Sequence, residues 1–120
     1  MTAADAIRKI DELAPNQYSA EQKLDWLAEI EGRIQIEIYD THEGSPTSEI
    51  GETMTAETLL TVPAPYSVLY VDFLRTQIDY CNGENIRQQD SADKFNDSFE
   101  SFAAYWNRTH KPIRTGRFRY

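Results

Sequence analysis

The sequence predicts an all-α, single-domain bundle of about four helices with one long loop and an extended C-terminal arm. Three observations carry that expectation. A chain of 120 residues fits one domain at roughly 100–200 residues each and can bury about two-thirds of its unfolded surface. Apolar residues recur at three- and four-residue spacing in four separate segments. Capping residues or prolines punctuate the ends of those segments.

The first helix is expected over about residues 2–14. Thr2 can cap it, Asp5 is an acidic first-turn partner, Ile7, Ile10 and Leu13 share a face, and Pro15 stops it. The second is expected over about 19–40: Ser19-Ala20-Glu21-Gln22 reads as a capping box, followed by Leu24, Leu27, Ile30, Ile34 and Ile38. Ile34, Ile36 and Ile38 also alternate as a strand would, but no comparable partner strand follows, so helix is preferred. Residues 41–62 read as a loop through Gly44, Ser45, Pro46 and Gly51, long enough to be either functional or mobile.

A third helix is expected over about 66–82. Leu69, Tyr70, Val71, Phe73, Leu74, Ile78 and Tyr80 cover more than half its circumference, with Asp72, Arg75, Thr76 and Asp79 as a narrow polar stripe. An arc that wide belongs to a central helix touched from several sides. Asn82-Gly83 ends it with a left-handed residue. The fourth, over about 85–107, sets Phe95, Phe99, Phe102 and Trp106 on one face and Asp90, Asp93, Asp97 and Glu100 almost opposite. Residues 1–112 thus form the helical domain and 113–120 the arm.

Charge has a geometry in this chain. The net charge is −8, but residues 1–107 hold 7 basic and 20 acidic residues, net −13, whereas Arg108–Tyr120 carries +5 and no acid. An acidic body argues against generic binding to nucleic acid or anionic lipid. A basic arm (Arg108, Lys111, Arg114, Arg117, Arg119, with Tyr120) is the candidate protein interface. No apolar run approaches the ~18 residues of a membrane span, and no signal-peptide core opens the chain, so a soluble, cytosol-made protein without membrane partners is expected.

Catalytic, metal and cofactor readings find no residues to stand on. The acids of the fourth helix lie opposite its aromatic face and lack the spacing of a calcium loop, so they read as a solvated face, as do Glu29, Glu31, Glu37 and Asp40. His42 and His110 are distant in sequence, and one cysteine, Cys81, excludes a zinc cluster and an intrachain disulfide. Cys81 itself reads as a small buried thiol. No phosphate loop, nucleophile elbow or dinucleotide fingerprint occurs. The expectation is no enzyme, no metal and no cofactor. Seven tyrosines exceed what a core needs, and Tyr66, Tyr70, Tyr105 and Tyr120 are candidates for contacts with a partner.

Several segments together resemble a known family. They are Trp26-Leu27, Asp40-Thr41-His42-Glu43-Gly44, Pro63-Ala64-Pro65-Tyr66, Ile78-Asp79-Tyr80-Cys81-Asn82-Gly83-Glu84, Phe95-Asn96 and Tyr105-Trp106-Asn107-Arg108-Thr109-His110-Lys111-Pro112. They resemble small proteins of tailed phages and Gram-positive prophages in the head–tail connector group, also called adaptor or head-completion proteins. The resemblance covers most of the chain and stops at Pro112. It implies an all-α virion component, made in the bacterial cytoplasm, that assembles as a ring on the portal protein. Such a ring prolongs the DNA channel without specific nucleic-acid binding and docks tail-completion proteins. It also implies a C-terminal segment that contacts the portal or a neighbouring subunit. The alternative is a small regulatory or DNA-associated prophage protein that uses the basic arm as a clamp; the two differ in salt-sensitive DNA binding.

Overall fold

The computed structural model describes residues 1–46 and 54–113. It is all-helical in its regular structure: α1 (Ala3–Leu13), α2 (Ala20–Glu37), a 3-10 turn (Tyr39–Thr41), α3 (Val68–Cys81) and α4 (Asn85–Thr109). α3 is central, in contact with α1, α2 and α4. That placement is what its wide apolar arc requires.

Each helix starts and stops for local reasons. The Thr2 hydroxyl accepts from the Asp5 N–H while the Asp5 carboxylate accepts from the Thr2 N–H, a reciprocal capping box. Ser19 caps α2 by accepting from the Gln22 N–H. Gly83 adopts φ +72° after the Asn82 cap, so the chain reverses in three residues and α4 returns along α3.

The core collects Leu27, Ile30, Ile34, Leu69, Leu74, Ile78 and Phe102, all at 2% exposure or less. Phe95, Phe99 and Trp106 join it as the aromatic face of α4, and Asp90, Asp93, Asp97 and Glu100 are exposed on the opposite face. On α1 the buried residues are Ala3, Ala6 and Ile10, while Ile7 is only partly covered and Leu13 faces solvent. Small alanines bring α1 close to its neighbours, so burial follows the 3, 6, 10 row instead of 7, 10, 13.

The polar stripe of α3 is not a solvent face. Asp72, Thr76 and Asp79 are buried and only Arg75 is exposed. α4 covers the stripe and supplies its partners. Ser98 Oγ donates to Asp72 Oδ2 at 2.6 Å, Ser91 Oγ donates to Asp79 Oδ2 at 2.8 Å, and Lys94 Nζ lies 3.8 Å from Asp72 Oδ1. A short turn forces α4 onto whatever α3 presents, and two hydroxyls make burial of two carboxylates affordable. Tyr80 and Cys81, in the last turn of α3, are exposed, against the expectation of a buried thiol. There the chain is already leaving the helix stack.

The loop of 41–62 is largely tied down where it is described. Its first residue belongs to the 3-10 turn. Residues 56–60 pair with the start of the chain: Ala4 N–H donates to Ala56 O, Ala3 N–H to Thr58 O, and Leu60 N–H to Met1 O. Leu60 and Val62 are buried and Leu59 is exposed. Residues 47–53 of that loop lie outside the described residues.

Glu31 also departs from the solvated face expected of it. It is 7% exposed and accepts three hydrogen bonds: from Tyr70 Oη at 2.6 Å, Thr61 Oγ1 at 3.1 Å and Thr61 N–H at 2.9 Å. Tyr70 Oη accepts in turn from Val62 N–H, and Thr61 Oγ1 from Tyr39 Oη, both at 3.0 Å. Every donor in the network has an acceptor. The Thr61 and Val62 N–H groups have no backbone acceptor where the chain passes α2; the Glu31 carboxylate takes the first and the Tyr70 hydroxyl, itself bonded to Glu31, takes the second. Glu29, Glu37 and Asp40 are exposed as expected.

Candidate protein interface

The candidate interface starts where α4 ends. Its root is built rather than loose. Ile113 N–H donates to Thr41 O and Glu43 N–H donates to Lys111 O, both at 2.8 Å, which makes an antiparallel bridge between His42 and Pro112. Side chains form a clasp over the same junction. Trp106 Nε1–H donates to Ser45 Oγ at 2.8 Å, and Ser45 Oγ donates to the His42 carbonyl at 3.0 Å. His42 Nε2 lies 3.1 Å from Asn107 Oδ1, and the His110 ring stacks on Trp106 at 3.7 Å with planes 11° apart. Pro112, which cannot continue a helix, stands where the bridge begins.

Two of the basic residues are placed by this root. Arg108, in the last turn of α4, and Lys111, in the bridge, are both exposed. Arg108 there also complements the negative C-terminal end of the helix dipole. Arg114, Arg117, Arg119 and Tyr120 lie outside the described residues. Ile113 is 44% exposed beside the bridge.

The tyrosines divide. Tyr66 and Tyr105 stack on each other, ring centres 4.8 Å apart, and both are half-buried at the end of the bundle where α3 begins and α4 finishes. Tyr70 is fully buried and bonded to Glu31, so it is a core residue and not a contact for partners. Burial is the main reason its hydroxyl titrates well above the ordinary tyrosine range, with the Glu31 carboxylate adding to it. The same burial pushes Tyr39 up to about 12.

Among the described residues no group of three or more His, Cys, Asp or Glu side chains could hold a metal ion. No described helix is long and apolar enough to cross a membrane. A shallow groove of about 460 Å³ runs along α1, its floor of Ala4, Ile7, Ala20 and Ala56 flanked by Arg8, Asp11 and Glu12.

Neither the Ser45–Trp106 bond nor the His42–Asn107 contact was legible in the sequence. Each joins residues more than sixty positions apart, and no local pattern signals such a pair. No protein-family model matches the chain, and neither a curated protein nor a solved structure does.

Proposed function

We propose that the protein is a structural component of a phage or prophage virion, a head–tail connector that works by assembly and catalyses nothing. In this reading copies of the chain form a ring on the portal protein, and their basic C-terminal residues hold an acidic protein surface. The single observation that carries the reading is the built root of the arm. A bridge and a clasp fix Arg108 and Lys111 at one end of an otherwise acidic bundle, beside a half-buried pair of tyrosines. Opposite charge brought to a defined place serves orientation and partner choice more than raw affinity. Tyrosines at the edge of such a patch add apolar contact and a polar tip. The acidic remainder would let DNA pass without sticking, since like charges remove phosphate-binding energy. The resemblance of the segments from Trp26 to Pro112 to connector proteins supplies the particular class.

Co-expression with the portal protein encoded nearby, followed by imaging of the particles, tests the proposal. Rings of this chain on portal assemblies are expected. Mature virions that lack the chain would overturn it.

A further inference from the structure

The groove along α1 has the make-up of a seat for a short peptide. Its floor is apolar: Ala4 and Ile7 of α1, Ala20 at the start of α2, and Ala56 of the segment that pairs with the start of the chain. Its volume of about 460 Å³ lies in the range of ligand pockets. Ala4, Ala20 and Ala56 are all exposed, so the floor opens to solvent and is not sealed in the core. Most charges at the rim already have partners. Arg8 Nη2 lies 3.1 Å from Asp5 Oδ1, and Asp11 Oδ1 takes the Nζ of Lys23, a buried lysine, at 2.6 Å. Glu12 is the charge left over. It is exposed, and among the described residues it makes no ion pair or hydrogen bond. An apolar floor with an unanswered carboxylate at its edge suits an apolar segment that carries a cation.

The sequence holds such a segment. Arg117-Phe118-Arg119-Tyr120, outside the described residues, alternates cation and aromatic ring. In extended backbone successive side chains point to opposite sides, so the rings would share one side, about 6.8 Å apart, and the guanidinium groups the other. From Ala4 to Asp11 the groove follows about 10 Å of helix, room for both rings. We propose that the last residues of one copy lie in the α1 groove of a second copy, with Phe118 and Tyr120 on the alanine floor and an arginine beside Glu12. A copy's own groove is out of reach. Lys23, which holds Asp11 at the rim, stands about 21 Å along α2 from Glu37. Ile113 is anchored to the Thr41 carbonyl, and Thr41 Oγ1 lies 3.4 Å from the Glu37 carbonyl oxygen. Five residues from Ile113 to Phe118 span at most about 18 Å. Each copy has one groove and one arm, so the contact is head-to-tail, a kind that closes into rings or runs on as filaments. The inference rests on the proposed function's reading of the basic residues as an interface, and names the surface they hold as that of a second copy.

Sedimentation velocity of the intact chain, at rising concentration and low salt, tests it. The wild type is expected to associate beyond a dimer, and less so as salt rises. Two variants each remove one half of the contact. Ala4→Arg fills and charges the groove at an exposed helix position, and Phe118→Ser with Tyr120→Ser strips the rings from the arm. Either variant alone is expected to stay monomeric. An equal mixture of the two is expected to form a dimer and nothing larger, because one intact arm and one intact groove remain between them. Ala56→Arg, across the groove, repeats the block should Ala4→Arg fail to fold by circular dichroism. A wild type that is monomeric at every concentration, a variant that associates as the wild type does, or a mixture that does not pair overturns the proposal. A monomeric wild type that still decorates portal rings would overturn this inference alone. Head-to-tail association by a chain missing from mature virions would overturn the connector reading alone.

Discussion

Replacing Glu31 by Gln is the sharpest test of how the bundle is held together. The carboxylate accepts from Tyr70 Oη, Thr61 Oγ1 and Thr61 N–H, and offers no proton to any of them. A carboxamide of the same shape has one acceptor oxygen and one NH₂ group. If the oxygen stays towards the two hydroxyls, the NH₂ meets the Thr61 N–H, donor against donor. If it turns over, Tyr70 and Thr61 lose the acceptor for their hydroxyl protons. Either way about one buried donor is orphaned, at roughly 1–3 kcal/mol, and the remaining bonds drop from charge-assisted to neutral strength. The expected loss is about 2–4 kcal/mol, a large share of a total near 5–15 kcal/mol. Urea unfolding followed by circular dichroism measures it. At an m-value of about 1.5 kcal/mol/M the midpoint falls by roughly 1.3–2.7 M with m unchanged. Glu29→Gln, at an exposed position of the same helix, serves as the control and stays within about 0.5 kcal/mol. A Glu31→Gln loss as small as the control's would refute the account of a buried carboxylate holding residues 61 and 62 to the core.

The same network predicts alkaline sensitivity. Tyr39 is pushed up to about 12 and Tyr70 is also raised, both chiefly by burial, so the folded state favours their protonated forms. That stability is complete below the unfolded tyrosine value of about 10 and is lost as pH rises from there towards about 12. Denaturation midpoints should decline across that interval in the wild type and less steeply in Tyr39→Phe; parallel slopes would contradict the assignment. Trp106→Ala removes a ring that is 7% exposed and packs on Tyr39, Phe102 and His110. Thermal or urea unfolding should show a loss of about 3–5 kcal/mol, and an unchanged midpoint would mean the ring is not core. Serine at Arg114, Arg117 and Arg119 together should leave the unfolding midpoint unaltered and impair assembly on the portal. Normal particle yield from that variant would take the arm out of the proposed mechanism.

Helix positions were legible because each rests on neighbours in sequence. Thr2 with Asp5, Ser19 with Gln22, and Asn82-Gly83 all act within four residues, and the structure places α1, α2, α3 and α4 close to the ranges they imply. The aromatic face of α4 was legible for the same reason. What the sequence hid was the partner of each polar group. Asp72, Asp79 and Glu31 look like ordinary solvated acids until the fold sets Ser98, Ser91 and Thr61 against them. Hydrophobic periodicity says which side of a helix is apolar, but not whether another element will cover the polar side as well. The candidate interface was half legible: composition pointed to the basic residues, while the bridge to Thr41 and Glu43 that fixes their origin joins distant segments without a local signature.

The paired acids and serines between α3 and α4 act as a ruler. Asp72 and Asp79 are seven residues apart, as are Ser91 and Ser98, so both hydrogen bonds form in one alignment and both break in any other. Sliding α4 by a turn, about 5.4 Å, would strand two buried carboxylates without their donors, at a cost of several kcal/mol. The hairpin therefore has a single stop. Because α4 is one continuous helix of 25 residues, a stop set in its first half also bears on the position of its last turn. Where Arg108 and Lys111 emerge is thus set twice, by this alignment along α3 and by the bridge to Thr41 and Glu43 at the helix's other end, and an insertion in α4 between Ser98 and Trp106 would put the two out of step without touching a single basic residue.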